Sequence, residues 1–391
     1  MNKLEKIQRD KEGLITPHGG KLKELFIKDQ NLKKDLLSQI KYEHECSERN
    51  ACDVELLMIG AFSPLNGFMS EEVYKSVIKT FRDKNGLLFG LPIVLDTDND
   101  HIKRGDKILL TYKGQSLAIV EVDSKWEPDK SSEAELCYGT NSLDHPAVQM
   151  IFHERGRFYV GGKIFGLEIP KRDFPCKTPK EVRSSLPPNY DVVAFQCRNP
   201  IHRAHYELFT NSLSSDNVSD KSIVLVHPTC GPTQQDDIPG KVRYQTYKKL
   251  SEEISNEKIF WAFLPYSMHM AGPREALQHM IIRKNYGCTH FIIGRDMAGC
   301  KSFSTGEDFY GPYDAQNFAK KCTSELNMRI VPSKNLVYTK EKGYITAEEA
   351  KEKNYQIMKL SGTEFRKKLR SGEAIPEWFA FKSVVDVLRK S

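Results

Sequence analysis

No apolar run in the 391 residues approaches the roughly 18 that a membrane-spanning helix needs, which excludes a helical span within this sequence. Nor is there a dense block of Lys or Arg. The 58 basic and 52 acidic residues leave a net charge of +6 spread along the chain, which argues against nucleic acid as a partner and suits a small anionic substrate. Nine cysteines are an odd number without one C-x-x-C pair, so a disulfide framework and a cysteine zinc site are both disfavoured and reduced thiols are expected. The string G-x-x-x-x-G-K-S/T is absent, and with it the P-loop route to nucleotide phosphates. No internal repeat or low-complexity tract occurs. The opening segment MNKLEKIQRDKEGLITPHGG carries several acids and no apolar stretch, so neither a secretory signal nor a transit peptide is expected and the predicted compartment is the cytoplasm.

What is present, at 39% hydrophobic and 28% charged residues, suffices for about two or three domains with cores of their own. From Ile15 to Gly166 the runs LLFGLPIVLD, DKILLTY and QSLAIVEVD, broken by Pro, Gly and Asn-Gly, predict a β-rich first domain with amphipathic helices near 31–41 and 70–82. Five prolines between Ile169 and Pro188 predict a linker. Beyond it the strand candidates Asp191–Phe195, Ser222–His227, Ile259–Leu264 and His290–Gly294 alternate with helical stretches near 200–213, 240–254 and 273–286. This alternation predicts a parallel, right-handed α/β sheet whose ligand loops lie at the carboxyl ends of the strands. A smaller, mostly helical unit completes the chain. The expected domains are therefore 1–168, 169–330 and 331–391.

The densest chemistry, Gln196-Cys197-Arg198-Asn199-Pro200-Ile201-His202-Arg203-Ala204-His205, comes directly after the first of those strands. Asn199 suits an N-cap and Pro200 a first helical position, which predicts His202 and His205 on one face of the opening turn. Free backbone N–H groups, a positive helix end, two imidazoles and Arg198 then converge where a nucleotide phosphate could bind. Gly294-Arg295-Asp296-Met297-Ala298-Gly299, a glycine-bracketed loop after a buried strand, suits close backbone approach by a ligand. His227 reads as structural and Arg274 as a candidate phosphate contact. Ser361-Gly362-Thr363-Glu364 reads as a capping box for a helix ending near Gly372.

Gln196 to His205 matches Q-x-R-N-P-x-H-R-A-H, and through it the sequence resembles the ATP sulfurylase (sulfate adenylyltransferase) family over nearly its full length. Thr16–Gly20, Gly60–Met69, Ala271–Ala276 and Gly294–Asp296 are further landmarks in the family's order. The resemblance implies a multidomain α/β fold: a β-rich PUA-like N-terminal domain, a central Rossmann-like nucleotidylyltransferase domain, and a small helical C-terminal lid formed around SGTEFRKKLRSGEAIPEWF. It implies that sulfate attacks the α-phosphorus of ATP, giving adenosine 5'-phosphosulfate and pyrophosphate. Arg198, Asn199, His202 and His205 would be catalytic. Gln196, Cys197, Arg198, Asn199, His202, His205, Gly294, Arg295, Asp296, Met297 and Leu336 would contact ATP, and Gln196, Arg198 and the backbone at Ala298 would contact sulfate. Mg²⁺ is expected with ATP and no metal held by the protein, with neither nucleic acid nor membrane as partner and homo-oligomerisation a further expectation. The sequence departs from the family at Met297, where His is commoner, and at Gln234-Gln235-Asp236-Asp237, where a Lys-Pro-Gly-Asp-like segment is usual. Two other readings stand beside this one: a different nucleotidylyltransferase with a histidine pair acting on a phosphorylated acceptor, and a nucleotide-binding protein that has lost turnover.

Overall fold

The computed structural model describes residues 6–234 and 237–391; the first five residues, Gln235 and Asp236 lie outside the described residues. The first domain runs through α1 (Gln30–Ser38), β1 (Ile40–Glu45), α2 (Glu48–Met58), β2 (Gly67–Phe68), α3 (Glu71–Thr80), β3 (Leu95–Thr97), β4 (Lys107–Tyr112), β5 (Gln115–Trp126), α4 (Lys130–Tyr138), α5 (Pro146–His153) and β6 (Phe158–Gly166). Its strands form one six-stranded sheet. β4 and β5 are a hairpin turned by Lys113 and Gly114, both with positive φ, the conformation that matches strand twist in a two-residue turn. LLFGLPIVLD yields a strand only at Leu95. The residues before it are buried by contact with the central domain instead of by sheet pairing, since a Cβ on Gly90 would fall 2.4 Å from the Arg274 carbonyl. Helix α2 carries no sequence signal because it is buried on all sides from Asn50 to Met58, which erases any amphipathic period.

The proline-rich stretch is no loose linker. Thr178 and Glu181 form a reciprocal capping box, Pro179 opens α6 (Pro179–Ser185), and Arg172 and Arg183 pair with Glu55 and Asp10 at 2.6 and 2.7 Å. After it come β7 (Asp191–Phe195), α7 (Arg203–Asn211), β8 (Ser222–Val226), α8 (Gly240–Glu253), β9 (Ile259–Trp261), α9 (Pro273–Asn285), β10 (His290–Ile293), α10 (Asp314–Leu326) and β11 (Arg329–Pro332). These five strands are all parallel in the order β11-β10-β7-β8-β9, so the winding reverses between β7 and β10. At such a switch point the loops leaving neighbouring strands diverge and open a crevice.

The last residues form β12 (Leu336–Thr339), β13 (Gly343–Thr346), α11 (Ala347–Glu352), β14 (Ile357–Met358), α12 (Gly362–Ser371) and α13 (Lys382–Leu388). Here a three-stranded antiparallel sheet accompanies the expected helices, and the anticipated boundary at 330/331 falls inside β11. Ser361 accepts from the Glu364 N–H at 3.1 Å and Gly372 ends α12 with φ +75°, as the capping pattern implied. One hydrophobic core runs from Ile7 to Ile330 through the first domain and one face of the parallel sheet, while a second packs α7, α8 and α13 on the other face. Among the described residues no helix is long and apolar enough to cross a membrane.

Candidate active site

The loops after β7 and β10 enclose a cleft of about 380 Å³ at the switch point. Gln196, Cys197, Arg198, Asn199, His205, Gly294 to Ala298 and Leu336 line it; His202 does not. A second cleft of about 820 Å³ shares Arg198 and Arg295 to Met297 with the first and is walled by Lys301, Ser302 and Phe303.

Helix α7 begins at Arg203, three residues later than Pro200 suggested, with His202 and not Asn199 at the N-cap position. The reason lies in α8. Arg243 donates to the carbonyls of Arg198, Thr229 and Gly231 at 3.1, 2.8 and 2.7 Å, and the Tyr247 hydroxyl donates to the Asn199 carbonyl at 3.0 Å. Carbonyls that would start the helix are thus tied to another element. Arg243 and Tyr247 gave no sequence signal, being ordinary residues inside a helix.

His202 and His205 stack with ring centroids 3.7 Å apart, and Phe379 of the C-terminal unit stacks on His202 at 5.9 Å. Burial holds His202 down at about 4, and burial together with His202 holds His205 well below the usual imidazole range. The pair is therefore neutral at physiological pH, and can meet a phosphate through hydrogen bonds but not as two cations. His205 Nδ1 and Gln196 Oε1 are buried with no hydrogen-bond partner among the described residues, while Gln196 Nε2 lies 3.5 Å from Met268 Sδ. Unpaired polar atoms of this kind at a cleft wall are characteristic of ligand contact.

Arg198 meets the carboxylate of Asp237 through one Nη. Of the segment that departs from the family pattern, Gln235 and Asp236 lie outside the described residues, Gln234 lines the larger cleft, and Asp237 pairs with Arg198. In the other loop, Asp296 and Ala298 adopt positive φ of 55° and 53°. The Ala298 carbonyl accepts from the Gly272 N–H at 2.9 Å. Arg295 and Asp296 pair at 3.4 Å with both side chains about half exposed, and Met297 is half-buried against the core.

One sequence candidate leaves the site, and one structural reading holds. Arg274 donates to the carbonyls of Gly90, Ile78, Leu136 and Val77 at 2.6–3.1 Å, all in the first domain, so it joins domains and contacts no phosphate. His227 is fully buried and held neutral by burial, in keeping with its structural reading. Ser333, Lys334 and Asn335 line the cleft unpredicted. Recognising Arg329–Pro332 as a fifth parallel strand would have found them, since they are the loop at its carboxyl end.

Parallel strands, a reversal of winding and an arginine-bearing loop on each side of the crevice define the α/β class of nucleotide-binding folds. Residues 175–391 match the ATP-sulfurylase family and residues 15–168 a PUA-like domain. A sulfate adenylyltransferase of Candida albicans is 39% identical over 399 residues, covering 96% of this chain and 75% of that one. The sulfate adenylyltransferase of Schizosaccharomyces pombe is 41% identical over 384 residues, covering 95% and 77%. A solved structure described as a hexameric APS kinase from Thiobacillus denitrificans shares the fold at TM-score 0.75 and 23% identity, over 96% of this chain and 68% of that one. The chain belongs to the ATP-sulfurylase family.

Proposed function

We propose that this chain is a sulfate adenylyltransferase whose reaction takes place in the two joined clefts between the β7 and β10 loops. One observation supports the placement above others: Arg198, Gln196 and His205 all line the switch-point crevice, and Gln196 Oε1 and His205 Nδ1 are buried there with no hydrogen-bond partner among the described residues. A sulfate oxygen attacks the α-phosphorus of ATP as the bond to the bridging oxygen of pyrophosphate breaks. Sulfate is too weak a base to need deprotonation, so catalysis is positioning and charge neutralisation. In this reading Arg198, Gln196 and the backbone at Ala298 hold sulfate. Asn199 and His205 act on the polyphosphate, the imidazole as a neutral hydrogen-bonding group. His202, stacked behind His205, is a positioning residue. Met297 and Leu336 pack the base, while Cys197 and the Gly294–Asp296 backbone complete the nucleotide wall.

The metal proposed is Mg²⁺, arriving as part of the ATP complex. No group of three or more His, Cys, Asp or Glu side chains is arranged to hold an ion among the described residues, and phosphate oxygens with water suit Mg²⁺ coordination. We further propose three domains with the expected limit at 168/169 and the second limit moved from 330/331 to just past Pro332, where β11 ends, with the last unit acting as a lid, a cytoplasmic location supported by nine free cysteines, and self-association. The test is pyrophosphate release from ATP and Mg²⁺, with and without sulfate, in a coupled assay containing pyrophosphatase. Sulfate-dependent release is the expected outcome. ATP binding without release would favour the lost-turnover reading, and release only with a phosphorylated acceptor would favour a different nucleotidylyltransferase.

A further inference from the structure

Between α4 and α5 the first domain presents two adjacent side chains that both cross to the central domain. Asp144 accepts from the Ser302 hydroxyl at 2.6 Å, from the Ser304 N–H at 3.1 Å and from the Ser304 hydroxyl. Those donors hold its carboxyl below the usual carboxylate range. His145 caps α5: its Nδ1 accepts from the Ala147 N–H at 3.1 Å, which leaves the proton on Nε2. Nε2 lies 3.1 Å from the Met270 carbonyl and 3.0 Å from the Tyr310 hydroxyl, which itself donates to the Tyr138 carbonyl at 3.0 Å. Burial holds His145 down at about 4, so this bonding pattern does not change near neutral pH.

Both contacts lead to the clefts. Ser302 lies in the wall of the larger one, which Arg198 and Arg295 also line. Met270 stands two residues before Gly272, whose N–H donates to the Ala298 carbonyl at 2.9 Å. Gly272 has φ +49°, and a Cβ there would fall 2.7 Å from the Tyr310 ring, the same ring that His145 touches. His145, Met270 with Tyr310, Gly272 and Ala298 thus form one contiguous series of fixed contacts. Arg274 already joins the domains through four carbonyls, so Asp144 and His145 are not needed merely to hold the domains together.

We propose that Asp144 and His145 are positioning residues of the anion site: the first domain serves the reaction by holding the backbone at Ala298 and the segment 302–304, whose first two residues line the larger cleft, in place relative to Arg198. The inference rests on the sulfate adenylyltransferase reading. Its physical basis is preorganisation, because donors already fixed before the oxyanion arrives spend no free energy on reorienting around it.

The experiment compares the full-length wild type with Asp144→Ala, Asp144→Asn, His145→Ala and His145→Gln. It measures KM for sulfate and for ATP, the Kd of a non-hydrolysable ATP analogue by calorimetry, and amide hydrogen exchange over residues 297–309. Asp144→Ala and His145→Ala should raise the sulfate KM about tenfold, worth roughly 1.4 kcal/mol, leave the analogue Kd within about twofold, and speed exchange in 297–309. Asn at 144 and Gln at 145 each keep one hydrogen-bonding group of the original residue and should fall between wild type and Ala. If an Ala variant does not fold, its conservative partner carries the same comparison. A sulfate KM within about twofold of wild type, or an equal rise for sulfate and the analogue, overturns the proposal. Should the wild type release no pyrophosphate with sulfate, the functional reading fails by itself; unchanged exchange in 297–309 would then overturn the positioning role separately.

Discussion

In the proposed reading Arg198 would meet the oxyanion with a carboxylate already beside it. Only one of its Nη atoms is used by Asp237, so Nε and the other Nη remain for sulfate, while the negative charge of Asp237 opposes a dianion. Asp237→Asn keeps an acceptor for the guanidinium and removes the charge. The expected result is a sulfate KM about fivefold lower, on the order of 1 kcal/mol for a partly exposed pair. Arg198→Ala should abolish nearly all turnover, with Arg198→Lys restoring little of it. An unchanged or higher sulfate KM in Asp237→Asn would mean that orientation of Arg198 outweighs charge. Arg198 itself was legible in the sequence, because its motif is a dense run of chemically distinctive residues. Its partner was not: Asp237 lies 39 positions away, and only the approach of the β8 loop to the β7 loop pairs them.

At the scale of elements, α9 is the joint between the domains. Gly90 allows the first domain to touch its backbone, since a Cβ there would fall 2.4 Å from the Arg274 carbonyl and 2.7 Å from the Gln278 N. Neither atom can move without moving the helix. Gly90→Ala should cost about 1–3 kcal/mol as overpacking and lower the melting temperature by roughly 5 °C. A calorimetric scan showing no shift would mean that the interface yields. Four of the five strands of the parallel sheet were legible from their short apolar runs, with β7 matching its expected span throughout, while β11 was not. Helix α7 was misplaced because the carbonyls of Arg198 and Asn199 are captured by α8, a tertiary competition that local capping residues do not report.

Over the whole molecule, nine of the eleven histidines are held below the ordinary imidazole range, chiefly by burial. His18, His145 and His202 fall to about 4. Each stays neutral when folded but takes up a proton when unfolded below about pH 6.5, so its contribution is whole above that pH and is lost as pH falls toward 4. The melting temperature should therefore decline steadily between about pH 6.5 and 5, and a flat profile there would contradict it. Activity should show no titration near 6.5 from the stacked pair, because His202 and His205 are already neutral. What the sequence determined by itself was the class of fold, the family and the two loops with chemistry, since short apolar strands and contiguous motifs are local information. Tertiary structure alone decided that nine histidines are held below the ordinary imidazole range, that Arg274 joins domains, that Asp237 faces Arg198, and that Asp144 and His145 reach the elements around the clefts. Burial and long-range contact set a group's charge and its partners, and neither is written at the position of the residue itself.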